Sequence, residues 1–168
     1  MRTQVAARPT RVSWRAGAVA LVAVALLAVS GERALAWQDE RDRAAGGKAA
    51  VAAAAAEVEG LIGINGSTSE KDVAKLLDGA TAGFRSELEA QADRLRTTLS
   101  KHQVVATGKV VSTGLVEFED GRATVIVAAV GTVKNKQASE AEPRNYRLRV
   151  DLQESDDRWL VSGLEFVA

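Results

Sequence analysis

The apolar residues of this chain form one long uncharged run near its start, and further along the chain they recur first at helical and then at strand spacing. The run, Ala16–Ser30, contains no charged residue, and Trp14 and Trp37 bracket it. A helix from one tryptophan to the other is about 34 Å long, enough for a hydrocarbon core of roughly 30 Å. Tryptophan favours the membrane–water interface. The pattern therefore predicts a transmembrane anchor over residues 16–37.

The charges beside this run predict its orientation. Residues 1–15 carry four arginines and no acidic residue, so the positive-inside rule makes them a cytoplasmic tail. We therefore expect a single-pass protein of the plasma membrane with an extracytoplasmic C-terminal domain. A second interpretation stays open, because a basic segment, a short apolar run and Ala34-Leu35-Ala36 also describe a signal peptide that is cleaved after Ala36.

The segment after the anchor predicts a hinge and then a helix. Residues 38–47 combine a charged stretch with Gly46 and Gly47, and each glycine costs a helix about 1 kcal/mol relative to alanine. The alanine-rich segment Lys48–Glu59 is a strong intrinsic helix former, but its apolar face is weak. We expect this helix to lie on the surface of a domain that covers residues 48–168.

Two more helices follow, and the second has the clearer pattern. Its apolar residues recur every three or four positions, and charged residues fill most of the remaining surface. We expect this apolar face to belong to the core. The face consists of Phe84, Leu88, Ala92, Leu95 and Leu99.

From Gln103 onward the composition changes to β-branched and aromatic residues, which favour strands. Four strands are predicted: Gln103–Glu119, Arg122–Lys134, Asn145–Glu154 and Arg158–Phe166. Asp120-Gly121 predicts a two-residue hairpin turn, and Gly108 and Gly114 predict a bulge or bend. The fold class is therefore α+β: about three helices packed on a curved, four-stranded antiparallel sheet, which together form a cone-like domain.

The third strand alternates strictly between apolar and polar residues, so one of its faces is expected to be solvated. Mixed polar surfaces of this kind occur at the rims of transient interfaces. The polar residues of this strand are therefore a candidate partner surface, together with the loop Asn135–Arg144. The four strand residues are Arg147, Arg149, Asp151 and Gln153.

Composition excludes several classes of function. The chain has no cysteine, which removes thiol nucleophiles and cysteine-based metal sites. Residues 38–168 contain 17 basic and 21 acidic residues and no basic stripe with interleaved aromatics, so we expect no nucleic-acid partner.

The titratable residues do not assemble into a recognisable catalytic set. His102 is the only histidine and lies at a predicted helix–strand junction, and the acidic run Glu117, Glu119, Asp120 lacks the spacing of a calcium loop. Three carboxylates fall on predicted strands: Glu117, Asp151 and Glu165. None has a partner tyrosine or histidine that the sequence reveals. We therefore expect no enzyme, no cofactor and no metal site.

Four segments, in this order behind a single apolar run, carry a family resemblance. They are Ala80-Thr81-Ala82-Gly83-Phe84-Arg85, Val133-Lys134-Asn135-Lys136, Tyr146-Arg147-Leu148-Arg149-Val150 and Arg158-Trp159-Leu160-Val161-Ser162. The chain resembles the Mce-associated membrane proteins of mycobacteria and related actinobacteria. That resemblance implies a cone similar to nuclear transport factor, an uncleaved anchor, and a non-catalytic accessory role in Mce complexes, which import lipids and sterols across the envelope.

The partners that the resemblance implies are the lipid bilayer, Mce transporter subunits and, if the cone itself holds a ligand, a lipid or sterol. Three alternatives stay open. The domain is a lipid carrier, or it is an anchored scaffold like those of bacterial type IV secretion systems, which have a similar fold. In the third alternative it is an isomerase-like enzyme, which requires a buried carboxylate that faces a closed pocket.

Overall fold

The computed structural model describes residue 37, residues 40–138 and residues 140–167. The helices in these ranges are α1 (40–62), α2 (Ser69–Asp78) and α3 (Ala82–Lys101), and the strands are β1 (Val105–Glu119), β2 (Arg122–Lys134), β3 (Glu142–Ser155) and β4 (Arg158–Phe166). The predicted tail and, apart from Trp37, the predicted anchor lie outside the described residues. Of the helices within those residues, none combines the length and apolarity needed to cross a membrane.

The four strands form one antiparallel sheet in the order β1-β2-β3-β4, so the α+β prediction is confirmed. A two-residue turn joins β1 to β2, as predicted: Asp120 and Gly121 have φ of 47° and 70°, and Glu119 pairs with Arg122. Positive φ at both central positions matches the right-handed twist of the flanking strands. Every strand of the sheet is therefore hydrogen-bonded to the strand that follows it along the chain.

The irregular positions of β1 differ from those predicted. The register shifts lie between Val110 and Ser112 and between Leu115 and Glu117, rather than at the glycines. Gly108 has another role, since a Cβ there would collide with the side chain of Ile62 on α1. Gly108 lies where helix α1 and strand β1 approach each other closely. Sequence alone does not distinguish a glycine of this kind from one at a bulge.

The core lies between α1 and one face of the sheet. Ala50, Ala54, Val58 and Ile62 recur every four residues on α1, and all four are buried. The residues that the sheet contributes include Val125, Val127, Leu148, Val150, Leu152 and Val161. The expectation that this helix lies on the surface is therefore wrong: alanine contributes little to an apolar pattern, but its small side chain lets a helix pack closely on a sheet.

The predicted helix break at Gly46-Gly47 is also wrong. Both glycines are helical residues of α1, and Gly47 is buried. A Cβ at Gly46 would lie 2.8 Å from Cζ of Phe118, and a Cβ at Gly47 would lie 3.0 Å from a methyl carbon of Leu115. The missing side chains therefore provide room for β1, and this packing offsets the low helix propensity of glycine.

The apolar face of α3 is less buried than predicted. Ala92 is buried, Phe84 and Leu88 are half-buried, and Leu95 is 38% exposed. The helix packs against α2 and β4, and α1 occupies the centre of the sheet. The face of α3 thus borders a cleft instead of filling the core.

The third strand begins three residues earlier than predicted, at Glu142, and includes Pro143. Pro143 pairs with Thr132 of β2, whereas β4 pairs with β3 only from Leu148 onward. At the proline, β3 is therefore an edge strand, where the missing N–H is tolerated.

Replacement of Leu148, a fully buried residue, should destabilise the domain strongly. We expect Leu148→Ala to lower the free energy of unfolding by about 2–5 kcal/mol, a large part of a typical total stability of roughly 5–15 kcal/mol. Leu95→Ala should cost no more than about 1 kcal/mol, because Leu95 is partly in water already. Thermal unfolding followed by circular dichroism measures both, and equal losses would contradict this assignment of the core.

Candidate functional site

The four predicted partner residues lie together on one face of the sheet. Along β3, Leu148, Val150 and Leu152 are buried towards α1, and the residues between them point the opposite way. We call the face turned away from α1 the outer face. It carries Arg147, Arg149, Asp151 and Gln153, of which all but the half-buried Asp151 are exposed. Partner binding by this face stays a prediction.

Asp151 is held in place by two donors on the outer face. Its Oδ1 atom accepts a hydrogen bond from Oγ1 of Thr124 at 2.7 Å and one from Nε of Arg149 at 3.2 Å. Thr124 is only 8% exposed, so its hydroxyl needs this acceptor. The Arg149–Asp151 ion pair is itself half-exposed, and such pairs contribute little to stability. These two hydrogen bonds therefore hold the Asp151 carboxylate in a defined position on the outer face.

Two of the three strand carboxylates named in the sequence analysis, Glu117 and Asp151, lie on the outer face near the β1–β2 hairpin. Glu117, Thr124 and Asp151 are in register across three strands, which separates the two carboxylate Cα atoms by about 10 Å. They line a cavity of about 520 Å³ with Glu119, Asp120, Arg122 and Gln153. Among the residues that the structure describes, no cluster of three or more acidic or histidine side chains is arranged to hold a metal ion.

Glu165, the remaining strand carboxylate, is paired with Arg149 in the register of β3 and β4. The outer face thus has an acidic end at the β1–β2 hairpin and a basic centre at Arg147 and Arg149. The outer face therefore carries charges of both signs.

His102 lies at the junction of α3 and β1, as predicted, and is hydrogen-bonded to the loop after β2. His102 is the C-cap of α3, and its carbonyl oxygen accepts a hydrogen bond from the backbone N–H of Lys136 at 2.9 Å. The side-chain oxygen of Asn135 accepts from the N–H groups of Gln137 and Ala138. These hydrogen bonds close a turn after β2. The segment Val133-Lys134-Asn135-Lys136, which carries part of the family resemblance, therefore has a structural role in this turn.

The structure also contains a cleft that the sequence analysis missed. The cleft has a volume of about 400 Å³ and lies between α1, α2, α3 and β4. Glu57 of α1 is its half-buried acidic residue, one position before the fully buried Val58. We call it the Glu57 cleft. Its walls are Leu61, Leu76, Phe84, Leu88, Val161, Leu164 and Phe166, and Glu87 and Gln91 complete the lining.

Burial is the main influence on the Glu57 carboxyl. Burial and, to a smaller extent, the nearby Asp78 raise the pKa of Glu57, and Arg158 acts in the opposite direction; together they raise it from 4.5 to about 7. Arg158 is itself engaged, because its Nη2 atom donates to Asp78 Oδ2 at 3.1 Å. Arg85 lies 4.0 Å from the same carboxylate group.

The backbone after α2 makes room for Glu57. A Cβ at Gly79 would collide with the Glu57 carboxylate, so no larger residue fits at this position without a shift. Gly79 has φ of −80°, which any residue adopts, so a larger residue here would change the position of the Glu57 carboxyl rather than strain the backbone. The sequence shows two acids, Glu57 and Glu59, near the end of an alanine-rich segment, and it does not show what either of them faces.

The connection between α2 and α3 is bonded to β4 as a short parallel bridge. The N–H of Val161 donates to the carbonyl of Gly79 at 2.8 Å, and the N–H of Thr81 donates to the carbonyl of Val161 at 2.9 Å. Thr81 is also the N-cap of α3, where its Oγ1 accepts from the N–H of Phe84 at 3.5 Å. Residues 80–85 and 158–162, two of the segments that carry the family resemblance, therefore adjoin.

A second apolar concavity continues from the cleft between α2 and α3. Its volume is about 340 Å³, and it shares Leu61, Leu76 and Leu88 with the Glu57 cleft. The half-exposed residues of α3, including Leu95, line it. The groove explains why the apolar face of α3 is incompletely buried.

Comparison of sequences places the chain among known proteins. The model of a family described as "Uncharacterized protein Rv1363c/MT1408-like" matches residues 12–168. The Mycobacterium tuberculosis protein described as "Uncharacterized protein Rv1363c" is 29% identical over 133 residues, which are 78% of this chain and 51% of that protein. The chain thus spans about half the length of the curated relative it matches.

Three solved structures have a similar fold at low sequence identity. An IcmL-like type IV secretion system protein from Legionella pneumophila has a TM-score of 0.57 and 12% identity, covering 70% of this chain and 88% of its own. CagV, a VirB8 homolog of the Helicobacter pylori type IV secretion system, has a TM-score of 0.57 and 7% identity over 70% and 95% of the two chains. The periplasmic domain of DotI has a TM-score of 0.55 and 15% identity over 70% and 91%. These similarities show the cone-like fold alone.

The raised pKa of Glu57 should make stability depend on pH. Folding favours the protonated carboxyl, so its contribution is complete below about pH 4.5 and is lost as the pH rises through about 7. Compared with Glu57→Gln, the wild-type protein should therefore lose melting temperature between about pH 5 and pH 8. Melting curves across this range test the prediction, with Glu89→Gln on the exposed part of α3 as the control. Parallel profiles for wild type and Glu57→Gln would contradict it.

Proposed function

This chain belongs to the Rv1363c/MT1408-like family, and from that premise we propose that it is a non-catalytic, membrane-anchored scaffold of the cell envelope. In this proposal residues 16–37 anchor the protein with residues 1–15 in the cytoplasm. The cone-like domain lies outside the membrane and binds protein subunits of a larger assembly through its outer face. The type of assembly that we favour resembles a type IV secretion system.

The observation that carries the proposal is the fold. The α+β arrangement of α1 and the four-stranded sheet is shared with an IcmL-like protein, with CagV and with DotI, whose names place all but the last in a type IV secretion system and the last in the periplasm. Identities of 7–15% support only an analogy of architecture, so the proposed role rests on that analogy together with the charged outer face.

Geometry supports a binding role over a catalytic one. Asp151 is bonded to Thr124 and Arg149, and Glu117 is about 10 Å away along the register. In the Glu57 cleft the lining contains no histidine or tyrosine beside the acid. A general acid–base mechanism needs a second positioned group, so we assign no catalytic residue.

An Mce-type importer of lipids or sterols is the second candidate assembly. The observation that favours it is the apolar Glu57 cleft, because a subunit of a lipid importer would encounter apolar molecules in the envelope. In that case the partners of the outer face are Mce transporter subunits, and the accessory role is the one implied by the family resemblance.

Charge reversal on the outer face should weaken capture of partner subunits. We expect Arg147→Glu with Arg149→Glu to reduce recovery of secretion-type or Mce-type subunits from mildly solubilised native membranes by about tenfold, equivalent to about 1.4 kcal/mol. The matched control is Lys71→Glu with Arg94→Glu, which makes the same charge change on exposed positions of the helices. Mass spectrometry of the captured proteins identifies the class of assembly. Equal recovery with both double variants would contradict the outer face as the binding surface.

The proposed anchor should remain on the mature protein. Intact-mass analysis of the membrane fraction is expected to give the mass of the chain with residues 16–37 still present. A mature form that begins at Trp37 would show that the apolar run is a cleaved signal peptide, and it would overturn the anchored arrangement.

A further inference from the structure

We propose that the Glu57 cleft binds an apolar molecule that carries a single hydroxyl group, with the hydroxyl hydrogen-bonded to the Glu57 carboxyl and the apolar body against α3 and β4. This inference goes beyond the scaffold role and does not depend on it, because it concerns the opposite face of the sheet. The cleft is formed by residues of α1, α2, α3 and β4.

The walls of the cleft select an apolar ligand. Leu61, Leu88 and Leu164 are half-buried and line the cavity, so they still expose apolar surface to it. Phe166 at the end of β4 also lines the cleft and is 64% exposed, so much of its apolar surface is open to a ligand. A ligand that covers these side chains would gain free energy in proportion to the apolar area removed from water.

Glu57 provides a polar position in these walls that the protein leaves open. Arg158, which is near enough to influence Glu57, donates its hydrogen bonds to the carboxylate and carbonyl of Asp78 instead. Within the described part of the chain, no donor is hydrogen-bonded to the Glu57 carboxyl. Because part of the Glu57 side chain is removed from water, a ligand hydroxyl in the cleft would gain a hydrogen bond there in addition to the burial of its apolar body.

A hydroxyl matches this carboxyl better than a charged group does. Glu57 titrates near neutral pH, so it is an acceptor when ionised and a donor when protonated. A hydroxyl both donates and accepts, and it can pair with either form. A ligand ammonium suits only the ionised form, and a ligand carboxylate would face Asp78 and Glu87, which lie by the cleft on α2 and α3.

The volume of the cleft limits the size of the part of the ligand that it can hold. A volume of about 400 Å³ corresponds to about a dozen groups the size of a water molecule, at roughly 30 Å³ each. The groove between α2 and α3 adds about 340 Å³ and shares three leucines with the cleft. A medium-length alkyl chain with a terminal hydroxyl fits this space, and a longer tail can continue into the groove.

Photolabelling tests the proposal on the full-length protein in phosphatidylcholine nanodiscs. The probes are dodecanol with a diazirine on its chain and the corresponding methyl ether, which keeps the apolar body but has no hydrogen to donate. At about pH 8.5, where most Glu57 is ionised and only accepts, we expect the alcohol to label peptides from α3 and β4 about tenfold more efficiently than the ether does. Equal labelling by the two probes, or labelling confined to other parts of the domain, would overturn the proposal.

Two variants separate the hydroxyl contact from the apolar cleft. Glu57→Met keeps the length of the side chain and should reduce alcohol labelling to the level of the ether. Leu88→Trp fills the cleft and should abolish labelling by both probes, whereas Glu89→Trp, on the neighbouring exposed position of α3, should leave both unchanged. An alcohol preference that persists in Glu57→Met would refute the role of Glu57. Melting curves verify that each variant is folded.

The same variants distinguish this proposal from the scaffold proposal. Glu57→Met should capture membrane subunits as the wild type does, and Arg147→Glu with Arg149→Glu should keep the alcohol preference. In the wild-type protein, equal labelling by alcohol and ether together with normal capture of subunits would overturn the cleft proposal alone. An alcohol preference without capture of any subunit would overturn the scaffold proposal alone.

Discussion

The fold depends on the close packing of α1 against the sheet. Three residues of this helix are fully buried, and two of them are alanines, whose small side chains allow the helix backbone to approach the strands. Gly46, Gly47 and Gly108 extend the same principle, because added side chains at these positions would meet Phe118, Leu115 and Ile62. The domain achieves a dense core by bringing backbones together rather than by filling space with large side chains.

Central placement of α1 leaves α2 and α3 to cover the border of the sheet, and this arrangement creates the Glu57 cleft. The backbone from Gly79 to Thr81 is bonded to both sides of Val161 and fixes where the two helices meet β4. The Glu57 carboxyl occupies the space beside Gly79, so a larger residue at position 79 would displace this carboxyl. One short connection thus ends α2, starts α3 and is hydrogen-bonded to β4.

Periodicity predicted the elements that expose one face to water, and it failed where small residues are buried. The strict alternation from Tyr146 to Gln153 gave the outer face correctly, because period two and a half-solvated strand are linked by geometry. Periodicity underestimated the burial of α1, because alanines carry almost no hydrophobic signal. It overestimated the burial of the apolar face of α3, because Leu95 borders a groove. The acid of the cleft was not predictable from sequence: Glu57 faces Asp78 and Arg158, which come from other elements and are brought together only by folding.

The sheet separates two surfaces of different chemistry, and β4 contributes to both. Val161 lines the apolar cleft, and Ser162, at the bulge opposite Asp151 and Leu152, lines the acidic cavity of the outer face. A protein partner on the charged face and an apolar molecule in the cleft would therefore contact consecutive residues of one strand. The two surfaces therefore meet at adjacent positions of β4 because side chains alternate between the faces of a strand, and the bulge at Ser162 is the one irregular position in the pairing of β3 with β4.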